Sequence, residues 1–136
     1  VTGVQTCALP IFAITATNEI QNCITNPLSG GCSTKLSEQH ILNCNTSTYS
    51  CRGGNPEVVV GSWLVPSAVK LRTLAAYPYT AKNGRCLSTP TTNYNLSGWS
   101  GQQGYDVNTT AGGVPALWTN MLNTGPISIW IAASST

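Results

Sequence analysis

The residues best suited to covalent chemistry are a single histidine, His40, and six cysteines. A Cys thiolate activated by an imidazole is a strong protein nucleophile, so Cys44 and Cys51, which follow His40 in the sequence, are candidates for that role. The cysteines form no C-x-x-C pair, which disfavours both a zinc site and a cytosolic redox motif. The pattern therefore predicts no metal and no cofactor.

Cysteines and glycosylation sequons together favour an oxidising compartment. Sequons begin at Asn45, Asn95 and Asn108. Because sequons arise by chance in chains rich in Asn and Thr, the cysteine count carries more of this inference. A secreted origin is the expectation.

The composition excludes two classes of partner. The chain has 136 residues, of which 7% are charged, and a net charge of +2. Its few Lys and Arg residues are scattered singly and form no basic patch, so nucleic acid is not an expected partner. No apolar run approaches the roughly 18 residues of a membrane span, so no membrane partner is expected either. At this length a single domain is the default, and any second domain would be incomplete.

The positions that carry chemistry must be held by secondary structure, and two early helices are predicted. The first runs from Phe12 to about Cys23. Its expected buried face consists of Phe12, Ala13, Ala16 and Ile20. The second runs from Glu38 to Asn43, with the Ser37 hydroxyl as its N-cap. Residues 25–34 between them are loop by composition.

A third helix is predicted from Glu57 to Leu64, with Pro56 in its first turn. The β-branched run Val58–Val60 would also allow a strand here, so local propensity leaves that alternative open.

Helix and strand patterns also follow one another near the end of the chain. Residues 114–122 have the apolar spacing of an amphipathic helix that Gly125 and Pro126 terminate. Residues 127–131 then alternate as in a strand.

Five short motifs occur in a recognisable order: FAITATNEI, LSEQHILNC, CRGGNP, YPYTAKNGRC and GPISIWI. Together they resemble the papain and cathepsin family of cysteine proteases over nearly everything after Ile11. The resemblance implies an α+β fold: a mainly helical domain over residues 12–96, then a linker and the incomplete start of a β-barrel domain over residues 97–136. In the family the active cleft lies between these two domains.

The family's catalytic Cys, His, Asn and oxyanion Gln have no counterpart in this chain. Aligned on Phe12, the nucleophile belongs where Leu9 stands, and the family's His and Asn belong at or beyond the last residues. Residues 1–11 resemble a translated sequencing adapter and are interpreted as artefactual, with a divergent natural segment as the alternative. The chain itself is therefore predicted to be inactive.

The resemblance also assigns the disulfides and reinterprets the single histidine. It pairs Cys44 with Cys86 and leaves Cys51 without its usual partner. Cys23 and Cys32 are not part of the family's common pattern, and a local bridge between them is suggested, with a free buried Cys23 as the alternative. His40 lies where the family has a structural helix and is expected to pack rather than react. Glu19 is interpreted as a structural buried carboxylate.

Three residues are predicted to bind substrate by the same resemblance. The Cys-x-Gly-Gly segment lines the family's cleft, so Gly53 and Gly54 are expected to lie there. Gly54 is expected to meet the substrate backbone, where a side chain would block the approach. The alternative is that both glycines serve only as turn residues. Trp130 is expected to wall the pocket for the substrate's second residue before the cut. The alternative is that Trp130 packs as a core anchor.

The predicted function of the complete parent is endopeptidase activity through a Cys thioester. Its expected partners are a peptide or protein substrate and an inhibitory propeptide, in a secreted or lysosomal/vacuolar location. One alternative is a family pseudoenzyme with a replaced nucleophile that acts in binding or assembly. Another is a small secreted disulfide-linked binding module, which would explain the cysteines but not the ordered motifs.

Overall fold

The computed structural model describes residues 9–45, 50, 56–92, 95, 119, 122–123 and 125–126. The chain divides into two compact units, Val1–Gln102 and Gln103–Thr136. Within the described residues the first unit is mainly helical, as expected. Its extended pairing there includes two isolated antiparallel bridges, Leu36 with Thr73 and Lys70 with Asn95.

Helix α1, Leu9–Thr25, begins before the predicted start and buries a different face. The prediction that Phe12, Ala16 and Ile20 face the core was wrong, since Phe12 is 41% and Ile20 51% exposed. The buried positions are instead Ile11, Ile14, Thr15, Asn18 and Asn22. Hydrogen bonds within the helix offset part of the cost of burying its polar members: Thr15 Oγ1 donates to the Ile11 carbonyl and Asn18 Nδ2 to the Ile14 carbonyl, while Asn18 Oδ1 is buried without a partner among the described residues.

A tight loop follows α1 and contains a short 3₁₀ helix, Pro27–Ser29. Gly30 adopts a φ of 78°, in the left-handed region that favours glycine. Gly31 is buried, and a Cβ there would lie 2.5 Å from the Asn22 carbonyl oxygen. A disulfide between Cys23 and Cys32, with Cα atoms 4.1 Å apart, closes this loop.

Helix α2, Glu38–Cys44, has the predicted N-cap: the Ser37 hydroxyl accepts the His40 backbone N–H at 3.0 Å. The third predicted helix is also confirmed, and the strand alternative is excluded there. It starts as α3, Pro56–Val59, and continues as a π-helical turn, Val60–Leu64, in which the Val65 N–H donates to the Val60 carbonyl.

The core of the first unit lies where α1 packs against α2 and α3. Burial of these apolar side chains supplies the main stabilising contribution. The buried members of the cluster are Ile11, Ile14, Leu36, Ile41, Leu42, Val59, Val60, Trp63, Leu64 and Leu71.

In the second unit, the described residues Thr119, Leu122 and Asn123 are helical, and Gly125 and Pro126 are not. These positions agree with the predicted helix and its termination. The predicted strand at residues 127–131 lies outside the described residues. Among the helices that the structure describes, none is long and apolar enough to cross a membrane.

Candidate functional site

The three residues predicted to bind substrate, Gly53, Gly54 and Trp130, lie outside the described residues. The structure does describe what holds both ends of the segment that contains the glycines. On one side, Asn45 closes α2, its Nδ2 donating to the carbonyls of Ile41 and Leu42 at 2.8 and 2.9 Å. On the other side, Pro56 begins α3.

Leu9, the position predicted from the sequence to align with the family's nucleophile, is the first residue of α1. A helix N-terminus carries partial positive charge and unpaired N–H groups, which lower the pKa of a thiol placed there. Ile11, two residues later, is fully buried in the core and fixes this end of the helix. The backbone at position 9 is therefore suited to a thiolate, whereas a Leu side chain supplies no nucleophile.

His40, the single histidine of the chain, is a buried packing residue, as expected. Its side chain makes edge contacts with the Trp63 ring at 5.7 Å, and its Nδ1 accepts the Arg72 backbone N–H at 3.3 Å. Burial, and next the nearby charge of Arg72, lower the pKa of His40 to about 4. An imidazole that is neutral, enclosed and already bonded at Nδ1 cannot serve as the proton acceptor for a cysteine in a cleft.

Cys44 and Cys86 form a disulfide between the end of α2 and the loop at residues 80–87, with Cα atoms 4.7 Å apart. The Arg72 guanidinium lies beside it, and its Nη1 is 3.3 Å from Cys44 Sγ. All four described cysteines are thus in disulfides. Cys7 and Cys51 lie outside the described residues.

Sequence reasoning missed a buried amide that joins the same loop to α2. The Gln39 Oε1 accepts the Thr80 backbone N–H at 2.8 Å, and its Nε2 donates to the Lys82 carbonyl at 2.8 Å. Gln39 is 1% exposed, so these bonds satisfy an otherwise costly buried amide. The signal that could have revealed this contact is the position of Gln39, a polar residue between two buried neighbours in a short helix.

The described carboxylates near α1 and α2 have structural partners. Glu19 accepts the Leu36 backbone N–H at 2.7 Å and pairs with Lys35 Nζ at 3.2 Å. Its side chain is 19% exposed, so it is largely buried, in line with the structural role expected of it. Burial is the main cause that raises the pKa of Glu38, with a smaller contribution from the negative charge of Glu19. Over the described ranges, no cluster of His, Cys, Asp and Glu could hold a metal ion.

The hydrogen bonds and disulfides of the described residues thus form a stable scaffold. It holds a helix N-terminus at position 9 and the two flanks of residues 46–55. Within the described residues it brings together no nucleophile and general base.

A family model described as "Papain family cysteine protease" matches residues 6–136. Cathepsin O of Homo sapiens is 33% identical over 67 residues, which cover 48% of this chain and 21% of that protein. Caricain of Carica papaya is 33% identical over 61 residues, covering 45% of this chain and 17% of that protein.

The chain thus spans about one fifth of the length of these curated relatives. Among solved structures, the ragweed pollen allergen Amb a 11 cysteine protease in its proform is 27% identical, with a TM-score of 0.48. That match covers 60% of this chain and 22% of that one.

Proposed function

Because this chain belongs to the papain family of cysteine proteases, we propose that the whole protein to which it contributes is an endopeptidase that cleaves peptide bonds through a Cys thioester. The family match over residues 6–136 carries this proposal. Support comes from the described scaffold, because the first residue of α1 coincides with the position aligned with the family's nucleophile.

In this proposal the native protein has Cys at the position of Leu9. There the N-terminus of α1 would favour the thiolate, and the backbone N–H of the same residue would help to bind the oxyanion. Gly53 and Gly54 line the cleft, Gly54 pairs with the substrate backbone, and Trp130 walls the pocket for the second residue before the cut.

The 136-residue chain on its own is proposed to be inactive. A papain-type reaction needs a thiolate, an imidazole and oxyanion donors together. Its one histidine is the buried His40, and its described cysteines are held in disulfides.

We also propose that the whole protein is secreted or lysosomal/vacuolar, is made with an inhibitory propeptide, and needs no cofactor. The two observed disulfides support an oxidising compartment.

A second candidate function rests on the identity of residue 9. If Leu9 is the native residue, the protein is a family pseudoenzyme whose cleft serves binding or assembly, because a Leu side chain cannot attack a carbonyl.

Both candidates are tested with the whole gene product, freed of any propeptide, on a dipeptidyl fluorogenic substrate with a reducing agent. The endopeptidase proposal predicts hydrolysis that iodoacetamide abolishes. Peptide binding without hydrolysis would overturn it in favour of the pseudoenzyme. The 136-residue chain, assayed in parallel, is expected to give no signal above buffer.

A further inference from the structure

The two sulfur atoms of the Cys44–Cys86 disulfide lie in different surroundings. Cys86 belongs to an exposed loop, whereas Cys44 is partly buried at the end of α2 and packs against the core. An attacking thiolate must approach one sulfur and displace the other, so this difference decides which sulfur is attacked. Access favours attack at Cys86 and release of Cys44.

The positive charge of Arg72 lies closer to Cys44 Sγ, the leaving sulfur, than to Cys86 Sγ. Arg72 Nη1 is 3.3 Å from Cys44 Sγ and 3.9 Å from Cys86 Sγ. The guanidinium is held in place from two directions: its Nε donates to the Thr89 carbonyl at 3.1 Å, and the group lies over the Tyr77 ring at 5.6 Å. An Arg so placed stabilises a thiolate and makes it a better leaving group.

We propose that Cys86 is a site of reversible S-thiolation by low-molecular-mass thiols of the glutathione class. The incoming thiolate forms a bond to Cys86 Sγ as the Cys44–Cys86 bond breaks. The electron pair of the broken bond stays on Cys44 Sγ, which becomes a thiolate beside Arg72. One disulfide is exchanged for another, so no further oxidant or reductant is required.

The loop that carries Cys86 has anchors that do not depend on the disulfide. Tyr77 Oη donates to the Arg85 carbonyl at 3.1 Å and accepts the Leu87 N–H at 3.2 Å, so both neighbours of Cys86 are held. The Gly84 N–H donates to Asn43 Oδ1 at 2.9 Å. Opening the bond therefore leaves Cys86 close to Cys44, and the thiolate can re-form the bridge by expelling the bound thiol.

The Cys23–Cys32 disulfide provides a comparison within the same molecule. Cys32 is also exposed and Cys23 partly buried. Among the described contacts of these two residues, however, none is with a cationic side chain; Cys32 Sγ approaches the Cys23 carbonyl at 3.7 Å. Access is similar for the two bridges, and the neighbouring cation distinguishes them.

The proposal is tested first on the unmodified, oxidised chain. The protein is exposed to reduced glutathione near pH 8, excess N-ethylmaleimide stops the reaction, and mass spectrometry locates both groups. The expected species carries glutathione on Cys86 and maleimide on Cys44. Glutathione placed equally on both cysteines, or mainly on Cys44, would overturn the proposal.

A set of variants then tests the role of the guanidinium. Arg72→Gln should slow the opening of Cys44–Cys86 by about three- to tenfold and leave the rate for Cys23–Cys32 unchanged, whereas Arg72→Lys should retain more of the rate. Arg85→Gln is the matched control, because it removes a cation that is next to Cys86 in the sequence, whereas the cation in the described contacts of both sulfurs is Arg72.

Circular dichroism shows whether each variant is folded. If Arg72→Gln does not fold, the proposal is tested by two other results: the rate at which Cys44–Cys86 opens in Arg72→Lys, and the adduct positions in the unmodified chain. An unchanged rate in a folded Arg72→Gln variant would contradict the proposal.

Discussion

The backbone N–H of Arg72, in the segment after α3, donates to Nδ1 of His40. This bond makes Nδ1 the imidazole nitrogen that acts as the acceptor. The bond requires an unprotonated Nδ1, because a protonated imidazole has donors only. Together with burial, it makes neutral His40 part of the folded structure.

We predict that acid weakens the fold through His40. Its pKa falls from 6.5 to about 4 on folding, so the unfolded chain binds the proton more readily. The stabilisation is complete above pH 6.5 and is lost as the pH falls toward 4, by roughly 3 kcal/mol. The raised pKa of Glu38 acts in the opposite direction and reduces the net change.

Urea unfolding at several pH values between 7 and 4 measures this effect. A His40→Leu variant should be less stable at neutral pH but should show a clearly flatter dependence on pH. Parallel curves for the two proteins would show that His40 is not the titrating group.

Replacing the buried amide of α2 should loosen the loop at residues 80–87. Gln39→Leu leaves the Thr80 N–H and the Lys82 carbonyl without their partner, which should cost about 3 kcal/mol in unfolding free energy. Gln21→Leu on α1 is the matched control, since it makes the same change at a helical position that is only partly buried. Equal losses in the two variants would argue against the anchoring role.

The loop after α1 should tolerate no side chain at Gly31. A Cβ there would lie 2.5 Å from the Asn22 carbonyl oxygen and 2.6 Å from that of Asn26, and both are backbone atoms. Gly31→Ala is expected to lower the unfolding free energy by about 3 kcal/mol. Gly30→Ala, at a φ of 78° but with its Cβ in ordinary contact with Ser33 Oγ at 3.6 Å, should lose only about 1 kcal/mol. Thermal unfolding of both variants measures the two losses. A larger loss for Gly30→Ala than for Gly31→Ala would contradict this prediction.

The pocket assignment of Trp130 predicts a change in specificity. In the whole enzyme the indole should shorten the pocket and penalise Phe relative to Val by roughly 1 to 3 kcal/mol. Trp130→Ala should therefore raise kcat/KM for the Phe substrate more than for the Val substrate. An unchanged ratio would leave Trp130 as a packing residue only.

Local sequence signals predicted the helices best. Contacts between residues far apart in the sequence were the hardest to predict. The Ser37 cap and Pro56 start identified α2 and α3 because capping depends on neighbouring residues. The buried face of α1 was missed because it includes the polar residues Thr15 and Asn18, whose side chains donate to carbonyls of the same helix, so an apolar pattern does not mark it.

The contact between Arg72 and Cys44 joins residues 28 apart, and the bond between Gln39 and Thr80 joins residues 41 apart. No local pattern encodes such pairs. The pairing of Cys44 with Cys86 was anticipated only through the family resemblance.

The proposed endopeptidase function requires a nucleophilic cysteine in the first turn of α1 of the native protein. It is tested most directly by treating the whole native gene product, with its disulfides intact, with one equivalent of iodoacetamide and mapping the alkylated residue. We expect a single modified Cys three residues before Phe12 and loss of peptide hydrolysis in proportion to the label. A native protein that has Leu, Ser or Gly at that position and takes up no label would contradict it.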